Sequence, residues 1–320
     1  METKKIIAVD LGGTKILSAL VNSKNEIVSR VKIPTDPSKG KESLLKGIAA
    51  SVEQLLGENQ LTQSDIKAIS LGVPGTVNPN TGIIGDAPNL GIKNFNIKEG
   101  MAKYVNIPVL IENDVNLAGL GIKRFEYNDE VNNMLVIFVG TGIGGALFFD
   151  GKIYRGSSFY AGEIGHIHID PKGNFSNKSR ITFELSAARP AIVKGITKDI
   201  KSGKKSVLKE YITEKKSIKS KALLNALKKK DKVAIQHINN AADIIGTVLG
   251  NVTTILNLDT IVVGGGVVEA MHSYFIPRIK KTFKENVLKE SGAHVKINYT
   301  KLGDDAPLFG GIALAEEFLK

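Results

Sequence analysis

From residue 6 to residue 33 the chain alternates apolar runs with polar breaks. Positions 6–9, 16–21 and 27–33 are rich in Ile, Val, Leu and Ala, and "LGGT" and "NSKN" separate them. Runs of this length bounded by turn-forming residues predict three strands joined by tight turns. The period then changes. Leu44, Leu45, Ile48, Val52, Leu55 and Leu56 recur at helical spacing, which predicts an amphipathic helix. A strand is expected at "IKAISLGVPG", followed by an irregular loop rich in Gly, Pro and Asn to about residue 91. "IPVLIEND" predicts a short buried strand ending in polar residues, and "VNLAGLGIKRFE" a helix.

The opening pattern then recurs. "MLVIFVGTGIGGALFFDGKIYRGS" again predicts a strand, a Gly/Thr turn, a strand, a turn and a strand. Asp10-Leu-Gly-Gly-Thr and Gly140-Thr-Gly-Ile-Gly-Gly begin the same kind of hairpin 130 residues apart. The repeat suggests two domains of similar plan, whereas either copy alone is matched by any three-stranded meander. Residues 184–257 are mostly helical in pattern. "DTIVVGGGVVEA" is a buried strand meeting a triple glycine and a helix, and "HVKINYTKLGDDAPLFGGIALAEEFLK" a strand, a loop and a closing helix. Strands alternating with helices indicate an α/β fold.

Length agrees with this picture, since 320 residues exceed one ordinary core. There is no cysteine, so disulfides and thiolate zinc sites are excluded. No apolar run approaches the roughly 20 residues of a membrane span, and the start lacks a signal-peptide core. A cytoplasmic protein without membrane contact is expected. The net charge of +11 is uneven: residues 194–232 hold fourteen lysines against Asp199, Glu210, Glu214 and Asp231. Such a run suits either a polyanion partner or a solvated helical surface. Only Tyr211 interrupts it in the manner of a nucleic-acid reader, so a solvated surface is expected and DNA is not.

Three glycine turns carry the first chemical signal: "DLGGT", "GTGIGG" and "GGG". Glycine lets backbone N–H groups approach an anion, and the last turn opens a helix, whose N-terminus attracts negative charge. Together they make a nucleotide phosphate the leading ligand. None fits the P-loop pattern, and "GTGIGG" leads into a strand rather than the helix of a dinucleotide-binding unit. Asp10 ends a strand beside the first turn, where it would hold magnesium, directly or through water, or cap the turn. Lys15 suits phosphate or plain solvent. Asn113 and Asp114 follow a buried strand, where Asp114 would serve as a general base on a hydroxyl or as a helix cap. "GEIGHIHID" gathers Glu163, His166 and His168, as metal ligands, an acid–base set or a polar strand edge.

"IAVDLGGTK", "GVPGTVNPNTG", "APNL", "IENDVNLAGLG", "VGTGIGGALFFDGKIYRGSSFYAGEIGH" and "IVVGGG" resemble, in order and over almost the whole chain, the ROK family of sugar kinases and sugar-responsive repressors. The resemblance implies an actin-like, ribonuclease-H-like fold, with two domains closing on ATP and a hexose. The expected domains are residues 1–116 with 305–320, and 117–304. By the same resemblance Asp114 would be the general base. Asn89, Asn113, Asp114, Glu163, His166 and Glu184 would hold the sugar. Asp10, Gly12, Gly13, Thr14 and Lys15 would cradle the ATP phosphates with Gly140, Thr141, Gly142, Gly144 and Gly145, and Gly264, Gly265 and Gly266 would border the nucleotide.

The chain departs from the family at one place. Many members follow GEIGH with a cysteine cluster that binds zinc with its histidine, and here that run is "PKGNFSNKSRITFE". Zinc is therefore not expected, and Glu163 and His166 are expected to grip sugar hydroxyls. His168 would share a strand face with His166 in a regular strand, either orienting it or standing in solvent. The loop 171–183 would be less constrained. Family repressors carry a DNA-binding domain ahead of the first glycine motif, which stands here at residue 10. The expectation is therefore a magnesium- and ATP-dependent kinase for glucose. N-acetylmannosamine, N-acetylglucosamine and fructose are alternative substrates, a non-catalytic sugar-binding regulator is the alternative class, and a homodimer is the expected assembly.

Overall fold

The computed structural model describes residues 5–169 and 181–318. The chain forms two compact units. One comprises Met1–Glu130, Ile153–Ala161 and Asp304–Lys320, the other Val131–Lys152 and Gly162–Gly303.

The first unit opens with β1 (Lys5–Leu11), β2 (Lys15–Val21), β3 (Ile27–Pro34) and helix α1 (Lys41–Glu58), where the apolar pattern predicted them. Strand β4 (Ile66–Val73) follows. The expected irregular loop is instead a small antiparallel sheet of β5 (Thr76–Asn78), β6 (Ile83–Ala87) and β7 (Ile92–Asn96). Its strands are too short to show a two-residue period, and Gly75 and Gly82, at φ 87° and 83°, read as loop punctuation. Helix α2 (Ile97–Met101), β8 (Val109–Asn113) and α3 (Asp114–Tyr127) complete the run, and α11 (Ala306–Phe318) returns from the C-terminal end.

The main sheet has the order β3-β2-β1-β4-β8. β1 runs antiparallel to β2 and parallel to β4. Apolar residues fill both faces of β1. Ile7, Val9 and Leu11 pack with α1 residues Leu44, Ile48 and Val52, while Ile6 packs with Ile312 and Ala315 of α11. This double burial explains the unbroken apolar run at 6–9. α3 and α11 cross closely because Gly310 lies against Leu117 O and a Cβ on Gly121 would stand 2.5 Å from Ala306 O. The boundary expected at 116/117 falls inside α3, which this packing assigns to the first unit.

The second unit repeats the plan with β9 (Met134–Val139) and β10 (Ile143–Phe149). The short β11 (Lys152–Tyr154) comes next in the chain. The helices are α4 (Phe183–Ala187), α5 (Arg189–Lys201), α6 (Lys209–Thr213), α7 (Ser220–Lys228) and α8 (Lys232–Leu256). Then come β12 (Thr260–Gly264), α9 (Gly266–Asn286), α10 (Lys289–Gly292) and β13 (Lys296–Tyr299). The order β10-β9-β12-β13 matches β2-β1-β4-β8, with β9 antiparallel to β10 and parallel to β12. Its core joins Ile137, Phe183, Ile196, Ile245, Val263 and Phe275. No described helix is long and apolar enough to cross a membrane.

Candidate active site

In the first unit the DLGGT turn closes on itself and on β3. Gly12 N donates to Lys15 O at 2.8 Å, and Thr35 Oγ1 donates to Gly12 O at 2.9 Å. A Cβ on Gly13 would lie 3.1 Å from Asn89 O, so the turn stands against the 3-10 turn Pro88–Leu90. Asn89 is exposed there. This brings two sequence-predicted candidates, the glycine turn and Asn89, side by side.

Asp10 is the charged focus of this unit. Its pKa is raised to about 7, first by burial, then by the charges of Asp114 and Asp304, against the lowering effect of Lys15. Asp10 and Asp114 are therefore close enough to disfavour two negative charges at once. Lys15 Nζ pairs with Asp304 Oδ2 at 2.6 Å. Asp304 was not a sequence candidate, and the only signal for it was the acidic pair in "LGDDAP".

Asp114 is the first residue of α3, and the capping role falls to Asn113. Asn113 Oδ1 accepts from Val115 N at 2.9 Å and Asn116 N at 3.0 Å, and its Nδ2 donates to Gly75 O at 2.8 Å. One amide N–H of Asn113 remains for a ligand. Asp114 Oδ1 accepts from Val115 N at 2.9 Å, a favourable place for a carboxylate at a helix N-terminus. Behind both stands Glu112, wholly buried and paired with Arg155 Nε at 2.6 Å. Sequence reasoning missed this pair, although a glutamate inside an apolar strand was a visible signal.

In the second unit glycine contacts fix the GEIGH segment to β10. A Cβ on Gly145 would lie 2.7 Å from Gly162 O, and Gly165 packs on Ile143 O. Ile164–His166 form a 3-10 turn rather than a strand. The two-residue face relation expected for His166 and His168 does not apply, because the turn breaks the alternation. His168 instead bridges Thr182. Glu163 Oε2 lies 3.8 Å from His166 Nε2. Burial, and secondarily the charge of Glu184, pushes Glu163 above the usual carboxylate range, while His166 opposes the shift. Glu184 Oε2 accepts from Ile143 N at 2.8 Å and lies against Gly142. It thus braces the GTGIGG turn, with Oε1 remaining for a ligand. Most of the loop 171–183 lies outside the described residues. Among those described, no group of three or more His, Cys, Asp or Glu is gathered for a metal.

The remaining glycine candidates lie around the start of α9. Gly265 caps this helix at φ 88°, and a Cβ there would stand 2.7 Å from Val139 N and O, so only glycine fits. The buried Ser220 at the start of α7 has an Oγ without a hydrogen-bond partner among the described residues, near Gly266. Arg189 N donates to Gly140 O at 3.0 Å. From Arg189 a cavity of about 410 Å³ extends past Val193, Tyr211, Lys215 and Lys216 to Ile218. The lysine-rich stretch is therefore not uniformly solvated surface. Its members Lys215 and Lys216 border a cavity, whereas Lys204 pairs with Asp199 at 2.9 Å.

Known proteins match the chain along nearly its whole length. A glucokinase of Halalkalibacterium halodurans is 31% identical over 97% of this chain and 94% of its own. A xylose repressor of Caldicellulosiruptor bescii is 27% identical over 97% of this chain and 77% of its own. The structure of a ROK family glucokinase from Streptomyces griseus, in complex with glucose and AMPPNP, superposes with a TM-score of 0.82 at 27% identity, covering 98% and 99% of the two chains. The fold is that of the actin-like ATPases. The ROK family profile matches residues 6–318, and the chain belongs to the ROK family.

Proposed function

We propose that the protein is an ATP-dependent sugar kinase acting on a hexose, with glucose as the first choice and Asp114 as general base. The observation that carries this reading is the carboxylate pair Asp10 and Asp114 beside the DLGGT turn, with Lys15 the opposing charge. Asp114 takes the proton from the sugar hydroxyl as its oxygen attacks the γ-phosphorus, and ADP departs in line. Asn89, the remaining N–H of Asn113, Glu163, His166 and Oε1 of Glu184 are the sugar contacts. The turn residues Gly12, Gly13, Thr14, Gly140, Thr141, Gly142, Gly144 and Gly145 cradle the phosphates, Gly12 N and Gly140 N being bonded within their own turns, and Gly264 to Gly266 border the nucleoside. The cavity beside Tyr211 offers room for a base.

Magnesium fits the first unit. Asp10 carries a charge that burial and Asp114 both oppose, and a cation relieves both costs. Magnesium takes one or two carboxylates and keeps waters and phosphates for its other positions, so Asp10 suffices, directly or through water. When bound, the ion neutralises charge on the transferring phosphoryl group.

The xylose-repressor relative, aligned over 97% of this chain, supports a second reading as a sugar-binding regulator. Sugar-dependent ADP release separates the two. A panel of glucose, fructose, N-acetylglucosamine and N-acetylmannosamine with ATP should give turnover with at least one sugar, glucose foremost. Sugar binding without turnover on any of them would favour the regulator.

A further inference from the structure

Glu112 is a carboxylate that the proposed chemistry does not use, held at 1% exposure inside an apolar strand. Burying a charge costs several kcal/mol before any partner is counted, and a leucine would fill β8 without that cost. What distinguishes Glu112 is where its hydrogen bonds go. Oε1 accepts from Asn113 N and from Asn116 Nδ2, both at 3.0 Å, and Oε2 accepts from Arg155 Nε at 2.6 Å. One side chain therefore ties the last peptide of β8, the first turn of α3 and the segment Ile153–Ala161. Asp114 lies between the first two of these.

Arg155 is itself anchored. Its carbonyl accepts from Ala161 N at 3.2 Å, closing a loop in which Gly156 and Phe159 stand at φ 70° and 65°. The loop packs on β6, since a Cβ on Gly85 would lie 2.6 Å from Tyr160 Oη. Arg155 also lines a cavity of about 520 Å³ with Lys98, Leu110, Phe159 and Phe318, which leaves its guanidinium open to small ions.

We propose that Glu112 and Arg155 are a positioning pair that fixes the β8–α3 junction and so aims the Asp114 carboxylate. The inference rests on the reading of Asp114 as the base. Arg155 supplies the counter-charge to Glu112 in the strand, 2.6 Å away. Glu112 in turn holds the Asn113 peptide from which α3 starts. A misplacement of the order of 1 Å at a reacting group costs on the order of 10²-fold in rate. Loosening the junction should therefore reach turnover first.

Four variants test the pair by kcat, by KM for ATP and by thermal unfolding: Arg155→Met, Arg155→Lys, Arg155→Ala and Glu112→Gln/Arg155→Met. Arg155→Met leaves Glu112 unpaired and should lower both kcat, about tenfold or more, and the unfolding midpoint. The double variant removes both charges, which restores stability, yet its kcat should stay depressed. Arg155→Lys keeps the charge without the planar fork and should fall between Arg155→Met and the unsubstituted protein. KM for ATP should stay within twofold throughout. Guanidinium ion entering the cavity should restore part of the turnover of Arg155→Ala.

Recovery of kcat together with stability in the double variant would reduce the pair to a structural role and overturn the proposal. So would a folded Arg155→Met or Arg155→Lys with unchanged kcat. No turnover in the unsubstituted protein would refute the kinase reading instead. The affinity for glucose, by calorimetry, would then decide the pair. A fivefold weaker Kd in the double variant supports it and an unchanged Kd overturns it.

Discussion

The turns at Gly12 and Gly140 are built alike and equipped differently. Each joins an antiparallel pair whose first strand also runs parallel to a second neighbour. In the first unit the strand position facing Gly72 of β4 is Asp10. In the second, the position facing Gly264 of β12 is Phe138. Charge thus collects at the first turn, with Asp114, Lys15 and Asp304 around Asp10. The second turn offers backbone N–H groups, braced by Glu184 on Ile143 N. Under the proposed function one scaffold would serve two tasks, the first copy handling protons and cations and the second presenting donors to an anion. Family resemblance alone does not separate these tasks, whereas the residue facing each strand glycine does.

Removing the proton acceptor should break the first copy most severely. Asp114→Asn keeps the hydrogen bond to Val115 N but cannot accept a proton. Its kcat should fall by about 10²–10⁴-fold with glucose affinity nearly intact, as read by steady-state kinetics and calorimetry. Near-normal turnover would leave Asp114 a structural residue.

Asp10→Asn should lower kcat by roughly 10²-fold while raising stability at alkaline pH. The unfolded carboxyl titrates near 3.8 and the folded one near about 7. Between these values the folded protein holds a proton that the unfolded chain has released, so stability falls as pH rises through this window. Above pH 7 the loss is complete, on the order of 4 kcal/mol at most. Asp10→Asn should therefore unfold at a higher temperature than the unsubstituted protein at pH 8, without magnesium, and at a similar one at pH 4. A lower midpoint at pH 8 would contradict this origin of the shift.

The second copy should respond through the donor. Glu184→Ala removes the acceptor of Ile143 N and should raise KM for ATP by roughly tenfold, close to 1.4 kcal/mol. An unchanged KM for ATP would detach Glu184 from the turn. The smallest effects belong to the lysines. Lys215→Gln with Lys216→Gln should raise KM for ATP a few-fold, because both border the cavity beside Tyr211. Lys204→Gln with Lys205→Gln should leave kcat/KM within about threefold, below ~0.7 kcal/mol. Equal effects of the two pairs would erase the distinction between cavity rim and surface.

Much of this comparison was legible in the chain. The repeated hairpin at Asp10 and Gly140 was visible because each copy couples apolar strands to a glycine turn, and both β-patterns are local. The sheet β5-β6-β7 was not, since strands of three to five residues among Gly, Pro and Asn carry no resolvable period. The 3-10 turn at Ile164–His166 escaped for a tertiary reason. Gly162 and Gly165 lie against the β10 backbone, and no local preference announces such a contact. The partners of Glu112 and Lys15, Arg155 and Asp304, stand 43 and 289 residues away. The glutamate inside an apolar strand was visible in the sequence yet went unremarked, and only the fold supplies its counter-charge.

The central claim is that the charged first turn performs phosphoryl transfer to a sugar. It is tested most directly by coupled-enzyme measurement of ADP release from ATP and magnesium, with and without glucose, in the unsubstituted protein and in Asp114→Asn. The account predicts glucose-dependent release by the unsubstituted protein that falls by about 10²-fold or more in the variant, both proteins binding glucose with similar affinity. Glucose binding without any stimulated release by the unsubstituted protein, on glucose or on the other three sugars, would contradict it.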